Sequence, residues 1–251
     1  MPGMHTAERF PRMIFFDVGE TLIRPRKPYG DLLQEIALDT GVVLPKAAVD
    51  GLAIHIDRRV TERTQRGMPF TFPLEESQRF WFDTYHVFFR AFLNPHDADR
   101  LATAFLSLLS SPKGYALYAD TLVTLECLLR RGYRLGIISN WEMWLPALLA
   151  AVGIDHLFDL VVISGECGVE KPDERIFLRA LANTGYHAEE VVYIGDRPAH
   201  DVEPARKAGI RPILLDRYAR YPPDDRHHTI TSLHDLVFVL EDARGLRRLL
   251  A

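Results

Sequence analysis

Four places in this 251-residue chain set a polar, chemistry-bearing side chain directly after, or a few residues beyond, a short apolar run. Asp17 closes Met13-Ile14-Phe15-Phe16 and is followed by Gly19, Glu20 and Thr21. Ser139 and Asn140 close Leu135-Gly136-Ile137-Ile138, and Lys171 follows Leu160-Val161-Val162-Ile163 at a short distance. Asp196 closes Val191-Val192-Tyr193-Ile194-Gly195, and Asp201 stands five positions on. Open α/β sheets bind ligands at the carboxyl ends of their strands, so these residues are expected to converge. An acid after a fully apolar strand is expensive to bury unpaired, which favours a working role for Asp17 over a helix cap.

The residue types fit phosphoryl transfer. A carboxylate nucleophile splits that reaction into two displacements through an aspartyl-phosphate. Magnesium takes carboxylates and carbonyls in an octahedral shell, which Asp17, Asp196 and a backbone carbonyl can begin to fill. Lys171 would neutralise charge on the transferred group, and the Ser139 hydroxyl would donate to one of its oxygens. Taken singly, Lys171 reads as a solvated lysine and Asp201 as the cap of a following helix; their order along the chain raises both.

The elements that must position these residues fall into two regimes. From Asp120 onward, helix and strand signals alternate, the pattern of βαβ units on a parallel sheet. Strands are expected at residues 134–140, 160–164, 191–196 and 213–216, beside the first at 12–22. Helices are expected from Thr121 to Arg131, Leu145 to Val152, Pro172 onward with Gly185 past its end, Asp201 to Ala208, and Leu233 to Leu250. Tyr218 to Thr231 reads as a surface loop. Between Tyr29 and about Leu109, apolar residues recur at spacings of three and four, which describes about four helices. The proline-rich Arg24–Pro28 and the breaker run Ser110–Gly114 read as the linkers on either side. The aromatic run Phe80 to Phe92 is read as core of that helical block, and Trp141 as packing beneath it.

Composition narrows the function classes. A formal charge of −4 with dispersed basic residues gives no nucleic-acid footprint. Cys127 and Cys167 have no partner at metal-binding spacing, and both are expected to be buried free thiols. His227-His228 lies in a polar stretch without nearby cysteines and reads as solvated. The residues from Met1 to Arg9 hold no apolar secretory core and no later run reaches membrane-span length, so a cytoplasmic protein is expected.

With its motifs in this order the chain resembles the haloacid-dehalogenase-like hydrolase superfamily. The similar segments are Asp17-Val18-Gly19-Glu20-Thr21-Leu22, Ile138-Ser139-Asn140, Glu170-Lys171-Pro172 and Gly195-Asp196-Arg197-Pro198-Ala199-His200-Asp201. The resemblance implies a Rossmann-like α/β fold with a parallel sheet of about five strands in the order 3-2-1-4-5. It further implies an α/β core at residues 1–23 and 114–251 and an inserted all-helical cap at 24–113. It assigns Asp17 as nucleophile and magnesium ligand, Gly19 as the source of a ligating carbonyl, and Asp196 and Asp201 as metal residues. Ser139, Asn140 and Lys171 would bind the phosphate. The implied protein is a magnesium-dependent, phosphatase-like hydrolase of a small phosphorylated metabolite, working as monomer or homodimer.

Gly19 departs from that pattern, since phosphatases of the family carry there an aspartate that serves the leaving oxygen. Glu20, where the family has glycine, is expected to point away from the site. Glu75, Asp83 or His86 of the cap, the leaving group itself, or water are the other sources of the proton. The alternative expectation is a low-turnover binding or regulatory member. A 2-haloacid dehalogenase is a lesser one, because the pair Asp196 and Asp201 has no task in a metal-free site.

Overall fold

The computed structural model describes the backbone of residues 11–248 and the side chains of residues 11–240, so the ends of the first and last expected segments lie outside the described residues. In chain order the elements begin with β1 (Met13–Phe16), β2 (Ile23–Pro25), α1 (Tyr29–Thr40), α2 (Lys46–Gln65), α3 (Leu74–Arg90) and α4 (Pro95–Leu109). There follow β3 (Tyr115–Leu117), α5 (Thr121–Arg130), β4 (Arg134–Ser139), α6 (Leu145–Ala151), β5 (Leu160–Ile163), α7 (Ser164–Cys167) and α8 (Arg175–Ala182). The chain ends with β6 (Val191–Gly195), α9 (Glu203–Lys207), β7 (Arg211–Leu215), β8 (His228–Ile230) and α10 (Leu233–Arg248).

One six-stranded parallel sheet runs β5-β4-β1-β6-β7-β8. Its strands are covered on both faces, which is why β1, β4, β6 and β7 read as unbroken apolar runs. Ile14 and Phe16 face a cluster with Leu125, Leu148 and Leu236. Phe15 faces the opposite cluster with Ile138, Phe177 and Tyr193. β1 is central: Phe16 is level with Ile137 of β4 and Ile194 of β6. That register carries the next residue, Asp17, out between the ends of both neighbours, where its amide donates to the Ile194 carbonyl at 2.8 Å.

The four expected helices α1 to α4 form a block with its own core, in which Leu32, Leu33, Leu52, Phe89 and Phe105 are fully buried. Prolines 28, 45 and 73 enter α1, α2 and α3 in extended conformation, and Asn94 caps α4 by accepting from the Asp97 amide at 3.0 Å.

Four readings of the sequence are corrected. The Arg24–Pro28 linker is partly a strand, because β2 pairs antiparallel with β3 and the block hangs from a two-stranded ribbon. The expected surface loop from Tyr218 to Thr231 contains β8, which pairs parallel with β7. The helix expected at Pro172 starts at Arg175, since the Asp173 carboxylate first takes the Arg175 amide in a local turn. Cys127 and Cys167 are free but half-buried rather than buried. No helix among the described residues is long and apolar enough to cross a membrane.

Candidate active site

The carboxyl ends of β1, β4 and β6 bring Asp17, Ser139 and Asp196 together, and the loops beyond β5 and β6 add Lys171 and Asp201. All five are between 1% and 7% exposed. Lys171 Nζ donates to Asp17 Oδ1 at 2.7 Å, to Asp201 Oδ1 at 2.6 Å and to the Tyr193 hydroxyl at 2.9 Å. Ser139 Oγ donates to Asp17 Oδ1 at 3.0 Å. The Tyr193 hydroxyl lies 2.8 Å from Asp201 Oδ1 and 3.1 Å from the Ile138 carbonyl, and the Arg197 amide donates to Asp201 Oδ2 at 2.9 Å. Arg220 Nη2 meets Asp196 Oδ2 at 3.0 Å.

Backbone geometry makes room for this packing. A Cβ on Gly195 would stand 2.3 Å from the Asp201 side chain, so glycine is what lets that carboxylate tuck against the end of β6. Asn140 does something the sequence did not show. Its Oδ1 accepts from the Lys171 amide at 2.7 Å and its Nδ2 donates to the Lys171 carbonyl at 2.9 Å. The side-chain amide is thereby committed to holding Lys171 in place.

One carboxylate oxygen from each of Asp17, Asp196 and Asp201 lies within 4.8 Å of the others, an arrangement able to hold a metal ion. Its electrostatics show a shortage of positive charge. Burial pushes the Asp17 carboxyl above its ordinary value, with Lys171 pulling it down and Asp201 pushing it further up. Burial, then the charges of Asp201 and Asp17, push Asp196 up to about 7. Asp201 goes the other way: burial is the largest influence and works against its charge, but Lys171, the Tyr193 hydroxyl and the Arg197 amide together hold it below the usual carboxylate value. Burial likewise opposes the Lys171 charge, and Asp17 and Asp201 together raise that ammonium above its ordinary value. Three buried acids thus face one buried ammonium and a half-exposed guanidinium, and a divalent cation is the group that would let Asp196 ionise.

Beside this cluster opens a cavity of about 170 Å3 between the helical block and the sheet, bordered by Gly19, Glu20, Asn140 and Trp141 on the sheet side. Glu20 is among its lining residues; its backbone is left-handed, with φ of 58°, and its carboxylate accepts from the Tyr118 hydroxyl at 2.6 Å. Trp141 lines the cavity as well, and so do Trp81 and Tyr85 from α3, two of the aromatics read as core. Glu75, Asp83 and His86 are not among its lining residues; His86 instead pairs with Asp99 at 3.1 Å.

Sequence reasoning missed Tyr193, Arg220 and Glu142. A phenol inside the apolar strand Val191–Gly195 was the available signal for Tyr193. Arg220 sits in a polar loop among other charges, with nothing to single it out.

The comparisons with known proteins agree with the fold and the site. Residues 59–215 match the family model described as haloacid dehalogenase-like hydrolase, a span that holds Ser139, Lys171, Asp196 and Asp201. The polar cluster at the carboxyl edge of the central strands lies where open α/β sheets bind their ligands. The chain belongs to the haloacid dehalogenase-like hydrolase family. It is 39% identical over 135 residues to a phosphoserine phosphatase of Thermus thermophilus, a match covering 52% of this chain and 51% of that one. It is 28% identical over 237 residues to haloacid dehalogenase-like hydrolase domain-containing protein 3 of Danio rerio, covering 90% and 94% of the two chains. The solved structure of the putative HAD-hydrolase YfnB of Bacillus subtilis, described as bound to magnesium, superposes with a TM-score of 0.71 at 16% identity over 92% of this chain and 99% of that one.

Proposed function

We propose that the protein is a magnesium-dependent phosphatase acting on a small phosphorylated metabolite through an aspartyl-phosphate on Asp17. The observation that carries this reading is the buried trio Asp17, Asp196 and Asp201 around a single lysine, beside a cavity between the helical block and the sheet. Phosphatase-named relatives support it.

Asp17, Asp196, Asp201 and the Gly19 carbonyl would hold the metal, which would screen the carboxylate from the approaching phosphate dianion. Asp17 attacks phosphorus, the bond to the leaving oxygen breaks, and that oxygen takes a proton. Lys171 and Ser139, which both donate to Asp17 Oδ1, would bind the transferred group beside it. Asn140 positions Lys171 through two main-chain hydrogen bonds. Glu20 carries the proton in place of the side chain that Gly19 lacks. It protonates the leaving oxygen, then takes a proton from the water that hydrolyses the aspartyl-phosphate, so the cycle closes. The helical block, residues 24–113, serves as a cap over the cavity.

The test is hydrolysis of p-nitrophenyl phosphate with magnesium, with chelator, and by Asp17→Asn. Loss of ~1,000-fold or more in both controls is expected, given what removal of a covalent nucleophile costs. Activity that survives either control sinks the mechanism.

A further inference from the structure

The cavity beside Asp17 has an unusual balance of groups. Six aromatic side chains line it, among them Tyr29, Trp81, Tyr85 and Trp141, and so do two carboxylates, Glu20 and Glu142. Its lining contains no lysine, arginine or histidine. The basic groups of the site, Lys171 and Arg220, are engaged with Asp17, Asp201 and Asp196 at the phosphate end.

We propose that this cavity selects a leaving group that carries an ammonium, so that the substrates are small aminoalkyl phosphate monoesters. The inference rests on the phosphatase reading above and adds the substrate class to it.

Size sets the first limit. An apolar cavity of about 150 Å3 takes benzene; one of about 170 Å3 accommodates a leaving group of roughly six non-hydrogen atoms. Charge sets the second. A purely apolar leaving group would strip water from the Glu142 carboxylate and return no counter-charge, and a carboxylate-bearing one would add a second negative group beside it. An ammonium supplies the missing charge to Glu142, leaves Glu20 free to hold the proton for the leaving oxygen, and is attracted to aromatic faces. Glu142 has neutral donors but no cation. Burial raises its carboxyl above the ordinary value even though the Ser77 hydroxyl donates to it at 2.8 Å and the Trp144 and Trp81 side chains bond to it as well. The unpartnered indole N–H of Trp141 adds a donor to the same cavity wall for a polar atom of the leaving group.

Three non-hydrolysable probes separate the possibilities: the isosteric pair 2-aminoethylphosphonate and propylphosphonate, and the slightly larger 2-carboxyethylphosphonate, titrated by calorimetry into the magnesium-loaded protein. The amine is expected to bind ~10-fold or more tighter than the propyl analogue, with the carboxylate weakest. Glu142→Gln should narrow the amine preference ~10-fold while leaving propylphosphonate unchanged. Tyr85→Leu, which removes a cavity aromatic that bonds neither acid among the described contacts, should narrow it in the same direction. Equal affinities for the three probes, a carboxylate that binds as well as the amine, or binding of none of them overturns the proposal. Hydrolysis of p-nitrophenyl phosphate reads the catalytic claim separately. If it depends on Asp17 while the amine preference is missing, only the substrate class falls; if it survives Asp17→Asn, both readings fall.

Discussion

Glu20 and Gly19 together decide what the leaving oxygen meets. A Cβ on Gly19 would find the Trp141 ring at 3.5 Å, an ordinary contact, so crowding does not explain the glycine. The carboxylate one residue later lines the cavity instead. If Glu20 carries the proton, Glu20→Gln should lower kcat/KM for an alkyl phosphate by ~100-fold or more, the usual worth of general acid–base help. The same variant should leave p-nitrophenyl phosphate nearly unchanged, because p-nitrophenolate departs without a proton. Equal losses on the two esters would argue that the residue only shapes the site. Asp196 gives the second prediction at this scale. In the metal-free protein its carboxyl sits at about 7 against 3.8. A group raised on folding stabilises the fold below its unfolded value and loses that contribution as pH rises through the folded one, here between about 4 and 7. Asp17 acts in the same direction, while the lowered Asp201 loses its contribution only at more acidic pH. With chelator, thermal stability should therefore fall from pH 5 to pH 8, by on the order of a few kcal/mol. Magnesium should restore more at pH 8 than at pH 5, and Asp196→Asn should flatten the chelated profile. A chelated wild type whose pH profile matches that of the variant would refute the assignment.

The strands explain why these side chains meet, and they also mark where the sequence was easy to read and where it was not. β1, β4, β6 and β7 are buried on both faces, so their burial is written as apolar runs that end in Asp17, Ser139, Asp196 and Asp216. The short partners β2, β3 and β8 carry no such mark. β8 is His228-Thr229-Ile230 with only Ile230 buried, and β2 ends in Pro25, which tolerates only an edge. Their pairing is a tertiary decision: each completes a ladder whose other strand is already fixed. The commitment of Asn140 to Lys171 is equally silent in sequence, since 31 residues separate the two. It ties the end of β4 to the loop beyond β5 and so sets where the ammonium points. Asn140→Ala removes both bonds and leaves the Lys171 amide without this acceptor, at a cost of about 1–3 kcal/mol. A lower melting temperature with kcat reduced and magnesium affinity retained is the expected result by calorimetry and steady-state kinetics. Unchanged kcat would show that Asp17, Asp201 and Tyr193 position the lysine unaided.

At the scale of the whole molecule, the cavity exists only because the helical block sits on the sheet, and a few polar contacts hold it there. The turn before α3 reaches down to Glu170, the residue preceding Lys171. Glu170 Oε1 accepts from the Phe70 amide at 2.9 Å, the Thr71 amide at 2.7 Å and the Thr71 hydroxyl at 2.5 Å. Thr71 also meets Ser164 at 2.6 Å, and Arg197, next to Asp196, pairs with Asp57 of α2. The sequence located the block through its helical periodicity but not these latches, because each joins residues about 100 or more apart that look like ordinary surface polar groups alone. The same distance hid the cavity: Trp81 and Tyr85 share the helical spacing of core aromatics, and only docking turns them toward Glu20 and Glu142. The latch is separable from the chemistry, since Glu170 bonds none of the three clustered acids among the contacts described. Glu170→Ala leaves three donors of the turn without their acceptor, and hydrogen bonds to a charged group are worth about 1.5–3 kcal/mol each before the donors find water. Loosening of the block should appear as faster hydrogen exchange at residues 70–77, with the β1 and β6 amides still protected. KM for a phosphate ester should rise while magnesium affinity stays the same, because none of the three clustered acids belongs to the helical block and the substrate needs both walls of the cavity. Unaltered exchange in the 70–77 segment together with an unaltered KM would mean that packing alone seats the block.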